Sequence, residues 1–181
     1  MQPCPHRVRE NRALWGRDKM DFRLIHFNCV RPLGAFTLEN PYVVTFLSIL
    51  PRIFADADAF EGIHFHQHGL RCPDETWRTY VDAFPYPADW RAPEVSTMAV
   101  WRSFEDLKSF TYNGRTHPPG MRRLSQEIDR SDGPGFVMWW ARRGEHFTLE
   151  DGFQRLQHLR RHGSSDYAFS LDQLAPRPAV A

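Results

Sequence analysis

Lysine is nearly absent from this chain of 181 residues: Lys19 and Lys108 are the two present, and arginine carries almost all the positive charge. Acidic and basic residues balance to a formal net charge of +1, with no basic stripe and no block of like charges. That argues against nucleic acid and against an anionic membrane surface as partners. Cysteine is scarce too. Cys4, Cys29 and Cys72 are odd in number and form no Cys-x-x-Cys pair, so neither a disulfide framework nor a structural zinc site is expected. No apolar run approaches the roughly 20 residues that cross a bilayer. The polar, Arg-rich stretch Met1–Lys19 has no apolar signal core. The expected setting is reducing and cytoplasmic. No repeat of solenoid period occurs.

Apolar and aromatic residues are plentiful. At 41% hydrophobic and 14% aromatic, the chain can bury one sizeable core. Residues 1–20 read as a flexible leader, with Met20 as an alternative start. Residues 22–30 alternate as a strand does, with Ile25, Phe27 and Cys29 on one face and Leu24, His26 and Asn28 on the other. Asn40-Pro41 opens a helix running to about Ala57. Pro51 is expected to kink or divide it. Gly62 precedes a second strand, Ile63–His68. Residues 71–94, rich in proline and aromatics, read as a long connection of the kind that closes over binding sites. Val95–Trp101 is a third strand. Ser103 caps a helix to about Tyr112. Asn113-Gly114 and Pro118-Pro119-Gly120 interrupt it, and Met121–Asp129 resumes it. After a turn at Asp132–Gly135 comes a fourth strand, Phe136–Trp140. Thr148 caps a last helix that stops at Gly163, and residues 171–181 form a Pro/Ala tail.

This order is the βαββαβ split unit with one added C-terminal helix. It predicts a ferredoxin-like α+β domain over residues 21–170. With the helices on one face, the apolar face opposite needs a cover. A second copy is the expected cover. The result would be a homodimer, a dimeric α/β barrel whose two sheets enclose a cavity.

Several stretches resemble one family. Met98–Leu107 is similar to its "NLSVWESVEAL", and Asp132–Trp140 to its "EGPxxxLWW". Gly144–Phe169, with Arg155-Leu156, His158-Leu159, His162-Gly163 and Tyr167-Ala168-Phe169, is similar to its "GHxPTxxEAxxRLxHLxxHGPTxxAF". Asn28 sits where the family's first strand has asparagine, in "LAQLNI". The family is domain-of-unknown-function family 3291. It resembles the dimeric α/β-barrel superfamily, which includes antibiotic-biosynthesis monooxygenases, muconolactone-isomerase-like proteins, polyketide cyclases and chlorite dismutases. The resemblance implies the fold more than a reaction, because one fold hosts many chemistries. Tyr112 and His117 match the family's "FVYRSxH". The chain departs where a pocket is expected. Thr97 replaces an asparagine, Ala99 a serine, Glu127-Ile128 a "WF", and Gly62–Gln67 a "GFVWRL".

By period-two geometry His26, Asn28, His64, His66 and His68 share the face opposite Ile25, Phe27, Ile63 and Phe65, and point into the barrel cavity. Thr97, Ala99 and Trp101 join them. Histidine titrates near neutral pH, so His64, His66, His26, Tyr112 and His117 are candidate acid–base groups. Asn28, His68, Thr97, Trp101, Trp139 and Trp140 are candidate substrate contacts. The expected function is proton-transfer chemistry on an apolar or aromatic small molecule: a cyclase, isomerase or monooxygenase of natural-product tailoring. The expected cofactor is none. The alternative is an iron or haem oxygenase with His64, His66 and His26 or His68 as ligands, but no obvious carboxylate ligand accompanies them. A non-catalytic ligand-binding protein is the third reading. His158 and His162, four apart on the last helix, are expected to be structural.

Overall fold

The computed structural model describes residues 22–80, 86–87, 89–114, 117–142 and 144–173. The leader at 1–20 and the alternative start at Met20 lie outside the described residues, as does most of the C-terminal tail.

Strand β1 spans Phe22–Pro32. Helix α1 spans Pro41–Ala59. The Asn40 side chain accepts a hydrogen bond from the Tyr42 amide at 3.0 Å, and Pro41 occupies the first turn, where an amide proton has no helical partner. Pro51 does not divide this helix. Val43, Phe46, Leu50 and Ala57 are buried on both sides of it, and their packing outweighs the one lost hydrogen bond.

Strand β2 (Ile63–Arg71) is longer than the sequence pattern suggests, and a two-residue strand β3 (Trp77–Arg78) pairs with its end. Strand β4 is Glu94–Trp101. Helix α2 (Phe104–Lys108) starts where the Ser103 hydroxyl accepts from the Asp106 amide at 3.0 Å. It runs into a π-helical turn, Ser109–Asn113. Helix α3 is His117–Leu124. Pro118 and Pro119 begin this helix rather than interrupt a longer one, again because the first turn needs no amide donors. It ends well before Asp129, because Ile128-Asp129 forms strand β5 against Pro32 and Arg31. Strand β6 (Phe136–Arg142) and helix α4 (Leu149–His162) complete the order. Thr148 and Asp151 form a reciprocal capping box, and Gly163 ends α4 at φ 76°.

The strands run β3-β2-β4-β1, with β5 and β6 pairing with β1, all antiparallel. The fold is ferredoxin-like α+β, as the element order predicts.

One face of the sheet is covered as expected and the other is not. Ile25, Phe27 and Cys29 are buried, and helix α4 lies across their face. At Gly152 of α4 an added Cβ would stand 2.5 Å from the Phe27 ring. Phe153, Leu156 and Leu159 of α4 belong to the same buried cluster. This face packs on a helix as expected; the second copy was expected on the histidine face. His26, Asn28, Thr97 and Ala99 face α1 and α3 instead. Gly120 lets α3 approach α1 closely: a Cβ there would meet Ile49 at 3.2 Å. A second buried cluster joins α1 to Leu70, Tyr80, Tyr86 and Val95.

Candidate functional site

A cavity of about 610 Å³ lies between the sheet and helices α1 and α3. Its floor follows from strand register. His26 lies opposite Ala99, and Ala99 lies opposite His66. One row further, Asn28 faces Thr97 and Thr97 faces His68. Adjacent antiparallel strands set opposed Cα atoms about 5 Å apart. The small Ala99 side chain therefore leaves a gap in the floor between His26 and His66. The roof is apolar, with Phe46, Ile49, Leu50, Ile53 and Phe54 from α1. Trp101, Phe110 and Phe136 close the sides.

The histidine row does not stay intact. A β-bulge lies between Ile63, opposite Trp101, and Phe65, opposite Val100. His64 is the extra residue, which places Ile63 and Phe65 on opposite faces. Ile63 lines the cavity and His64 does not. His64 lies near enough to Asp106 to help lower its carboxyl, behind the larger effects of Arg102 and Ser103. His66 lines the cavity, with Nε2 2.9 Å from Asp58 Oδ1 at the end of α1. His68 stacks on Phe54 at 4.1 Å and on Tyr80 at 5.0 Å, and does not line the cavity.

His26 and His117 come together instead. His26 rises from β1, its ring 5.5 Å from Phe136. His117 enters from the start of α3, against Phe110 at 5.5 Å, and Phe110 packs on Trp101 at 5.5 Å. Burial, with a smaller contribution from His117, lowers the pKa of His26 to about 4. Burial also lowers His117, against a hydrogen bond that raises it. That bond places His117 Nδ1 3.3 Å from the Thr111 carbonyl oxygen. A carbonyl only accepts, so Nδ1 carries the proton and donates, and Nε2 keeps the lone pair. The π-helical turn presents this carbonyl, a local irregularity of the kind found at functional sites. Both rings are neutral at pH 7.

The other expected contacts divide. Asn28, Thr97, Trp101 and Tyr112 line the cavity; Tyr112 is 58% exposed and stands at its edge. Trp101 is buried, and its Nε1 has no acceptor among the described residues. Trp139 is excluded. It lies opposite Ile25, on the α4 face, beneath Arg155 at 4.8 Å and beside Phe147. Trp140 lies on the His26 side, opposite Leu24, but does not reach the cavity. None of the described residues of 71–94 lines it; Tyr80 and Tyr86 are buried in the second cluster. Residues 81–85 and 88 lie outside the described residues. Leu171, assigned to the tail, does line the cavity.

No three His, Cys, Asp or Glu side chains converge to hold a metal ion among the described residues. The candidate set fails geometrically. His64 does not line the cavity, His66 is bonded to Asp58, and His26 lies on the cavity wall. The His158 and His162 rings lie 4.7 Å apart at a tilt on α4, where His158 also meets Tyr167.

Three features of the site were not legible in sequence: the pairing of His26 with His117, the Asp58 contact of His66, and the α1 roof. The i, i+3, i+4 and i+7 spacing of Phe46, Ile49, Leu50 and Ile53 carried the only signal, for the roof.

The family model for "Domain of unknown function (DUF3291)" matches residues 27–181. The chain belongs to this family. No curated protein matches it. Among solved structures, a dimeric ferredoxin-like protein of unknown function from Jannaschia sp. CCS1 is 14% identical, with a TM-score of 0.43 over 66% of this chain and 97% of that one. SnoaB, a cofactor-independent oxygenase from Streptomyces nogalater, is 15% identical, with a TM-score of 0.40 over 72% of this chain and 98% of its own. At these scores the likenesses assign no shared chemistry. No helix among the described residues is long and apolar enough to cross a membrane.

Proposed function

We propose that the cavity binds an apolar or aromatic small molecule and that His117 moves a proton on it. One observation carries this reading: His26 and His117, both held neutral, meet inside a cavity whose other walls are mostly apolar. His117 Nε2 accepts a proton from a substrate C–H or O–H. The electron pair left behind moves onto a substrate oxygen, which Asn28 or Thr97 holds by hydrogen bonding. Trp101 Nε1–H supplies a further donor. His26, being uncharged, does not oppose protonation of its neighbour. Isomerisation, aldol-type cyclisation and oxygenation of a carbanion by molecular oxygen each begin with such a step. Natural-product tailoring is the setting that suits them. The protein is proposed to act as a homodimer, with the exposed apolar side chains Leu33, Leu38 and Val44 as the surface to be covered. Light scattering on purified protein reports that state.

The ring opening of 5-nitrobenzisoxazole tests the chemistry, because it needs only a base in an apolar site and is followed by absorbance. The wild-type protein accelerates it over buffer. His117→Gln lowers the rate by about 100-fold, the lower end for a positioned base, and His26→Gln lowers it less. The rate depends on the free base, so it falls as pH drops through the lowered His117 pKa and is level above. A wild-type rate no greater than that of His117→Gln overturns the acid–base assignment and leaves a binding protein.

A further inference from the structure

The part of the cavity lined by His26 and His117 has no place for a charge. His26 and His117 are neutral at pH 7, because burial disfavours their charged forms. The walls beside them are largely aliphatic and aromatic. Carrying an ion into such surroundings without a partner is costly. A charged group on a ligand must therefore stay at the mouth.

The charged groups that line the cavity, histidine apart, have one sign; Asp58 is bonded to His66 but does not itself line it. Apart from histidine, the described lining residues with charged side chains are Lys108 and Arg122, and none is acidic. Lys108 ends α2 and Arg122 lies on α3, and both are exposed. Neither has a carboxylate within ion-pair distance among the described residues, whereas Arg31, Arg71, Arg78, Arg91 and Arg102 all do. Glu127 is close enough to Tyr42 to help raise its phenol, but it does not line the cavity. Lysine is also rare in this chain, and one of its two stands here.

Building on the cavity-binding reading above, we infer that the natural ligand is an apolar molecule bearing an anionic group, of the carboxylate class. Its body fills the cavity and its anion rests at the mouth against Lys108 and Arg122. The polar floor of Asn28, Thr97 and His26 then meets the end of the molecule remote from the anion.

Two fluorescent dyes of one skeleton test this: 8-anilinonaphthalene-1-sulfonate, and N-phenyl-1-naphthylamine, which lacks the sulfonate. The sulfonate dye binds about tenfold more tightly, from two partly exposed ion pairs of ordinary strength. Lys108→Gln with Arg122→Gln removes that difference and leaves the neutral dye's affinity in place, which also shows that the variant is folded. Raising the salt from 0.05 to 0.5 M weakens the anionic dye alone. Equal affinities for the two dyes, or a preference that survives the double substitution, overturn the anionic assignment while the cavity-binding reading stands. If filling the floor with Ala99→Trp leaves both dyes bound, or if neither binds at all, the cavity-binding reading falls and this inference falls with it.

Discussion

Replacing His26 by glutamine should flatten the loss of stability between pH 7 and pH 5. In the folded chain burial holds His26 at about 4, against the ordinary value of 6.5. Between those values the unfolded chain takes up a proton that the folded chain refuses. Stability then rises with pH, being fully present above pH 6.5 and lost as pH falls toward 4. At pH 5 the ratio of the two binding terms is about 33 over 1.1, worth about 2 kcal/mol, and at pH 7 it is nearly nil. This is an upper bound, because His26 opens onto the cavity and water there offsets part of the burial. Urea unfolding of wild type and His26→Gln at both pH values, followed by tryptophan fluorescence, gives the double difference. Carboxylates that titrate over the same range cancel in it. The wild type should lose up to about 2 kcal/mol more than the variant. An equal loss in both proteins would show that His26 is not held neutral by burial, and would remove the electrostatic basis of the proposed site.

Other expectations follow from contacts elsewhere in the fold. Gly152→Ala gains helix propensity of about 1 kcal/mol, but its Cβ would press on the buried Phe27 ring. Overpacking costs about 1–3 kcal/mol, so the urea midpoint falls; a rise would mean that α4 is not seated on β1. Thr148→Ala removes the capping box of α4 and should cost about 1 kcal/mol by the same assay. Ala99→Trp should abolish dye binding while the far-ultraviolet circular dichroism stays native, since the floor between His26 and His66 has room above it. Loss of the native spectrum would instead place Ala99 in the packed core.

Four of the six strands and most helix starts are written in local sequence. Asn40-Pro41, Ser103, Thr148 with Asp151, and Gly163 all act within a few residues of themselves, so neighbouring residues suffice to read them. The alternation of β1 is equally local, and it correctly separates Ile25, Phe27 and Cys29 from His26 and Asn28. Tertiary structure decided which helix each face meets. Period-two patterning tells that two faces differ, not which element covers either one. The amphipathic stripe of α4 fits Phe27 through a single glycine, and that docking turns the histidine face inward to α1 and α3. The bulge at His64 reverses the facing of Ile63 and breaks the row. His117, distant in sequence from His26, reaches it only because α3 packs over β1 and the π-helical turn offers the Thr111 carbonyl. Sequence alone determined the strands and the alternation that sets His26 and Asn28 apart from Ile25, Phe27 and Cys29. The long-range packing of α1, α3 and α4 determined which histidines share a cavity and lose their charge, since desolvation depends on every element packed around a side chain and not on its neighbours in the chain.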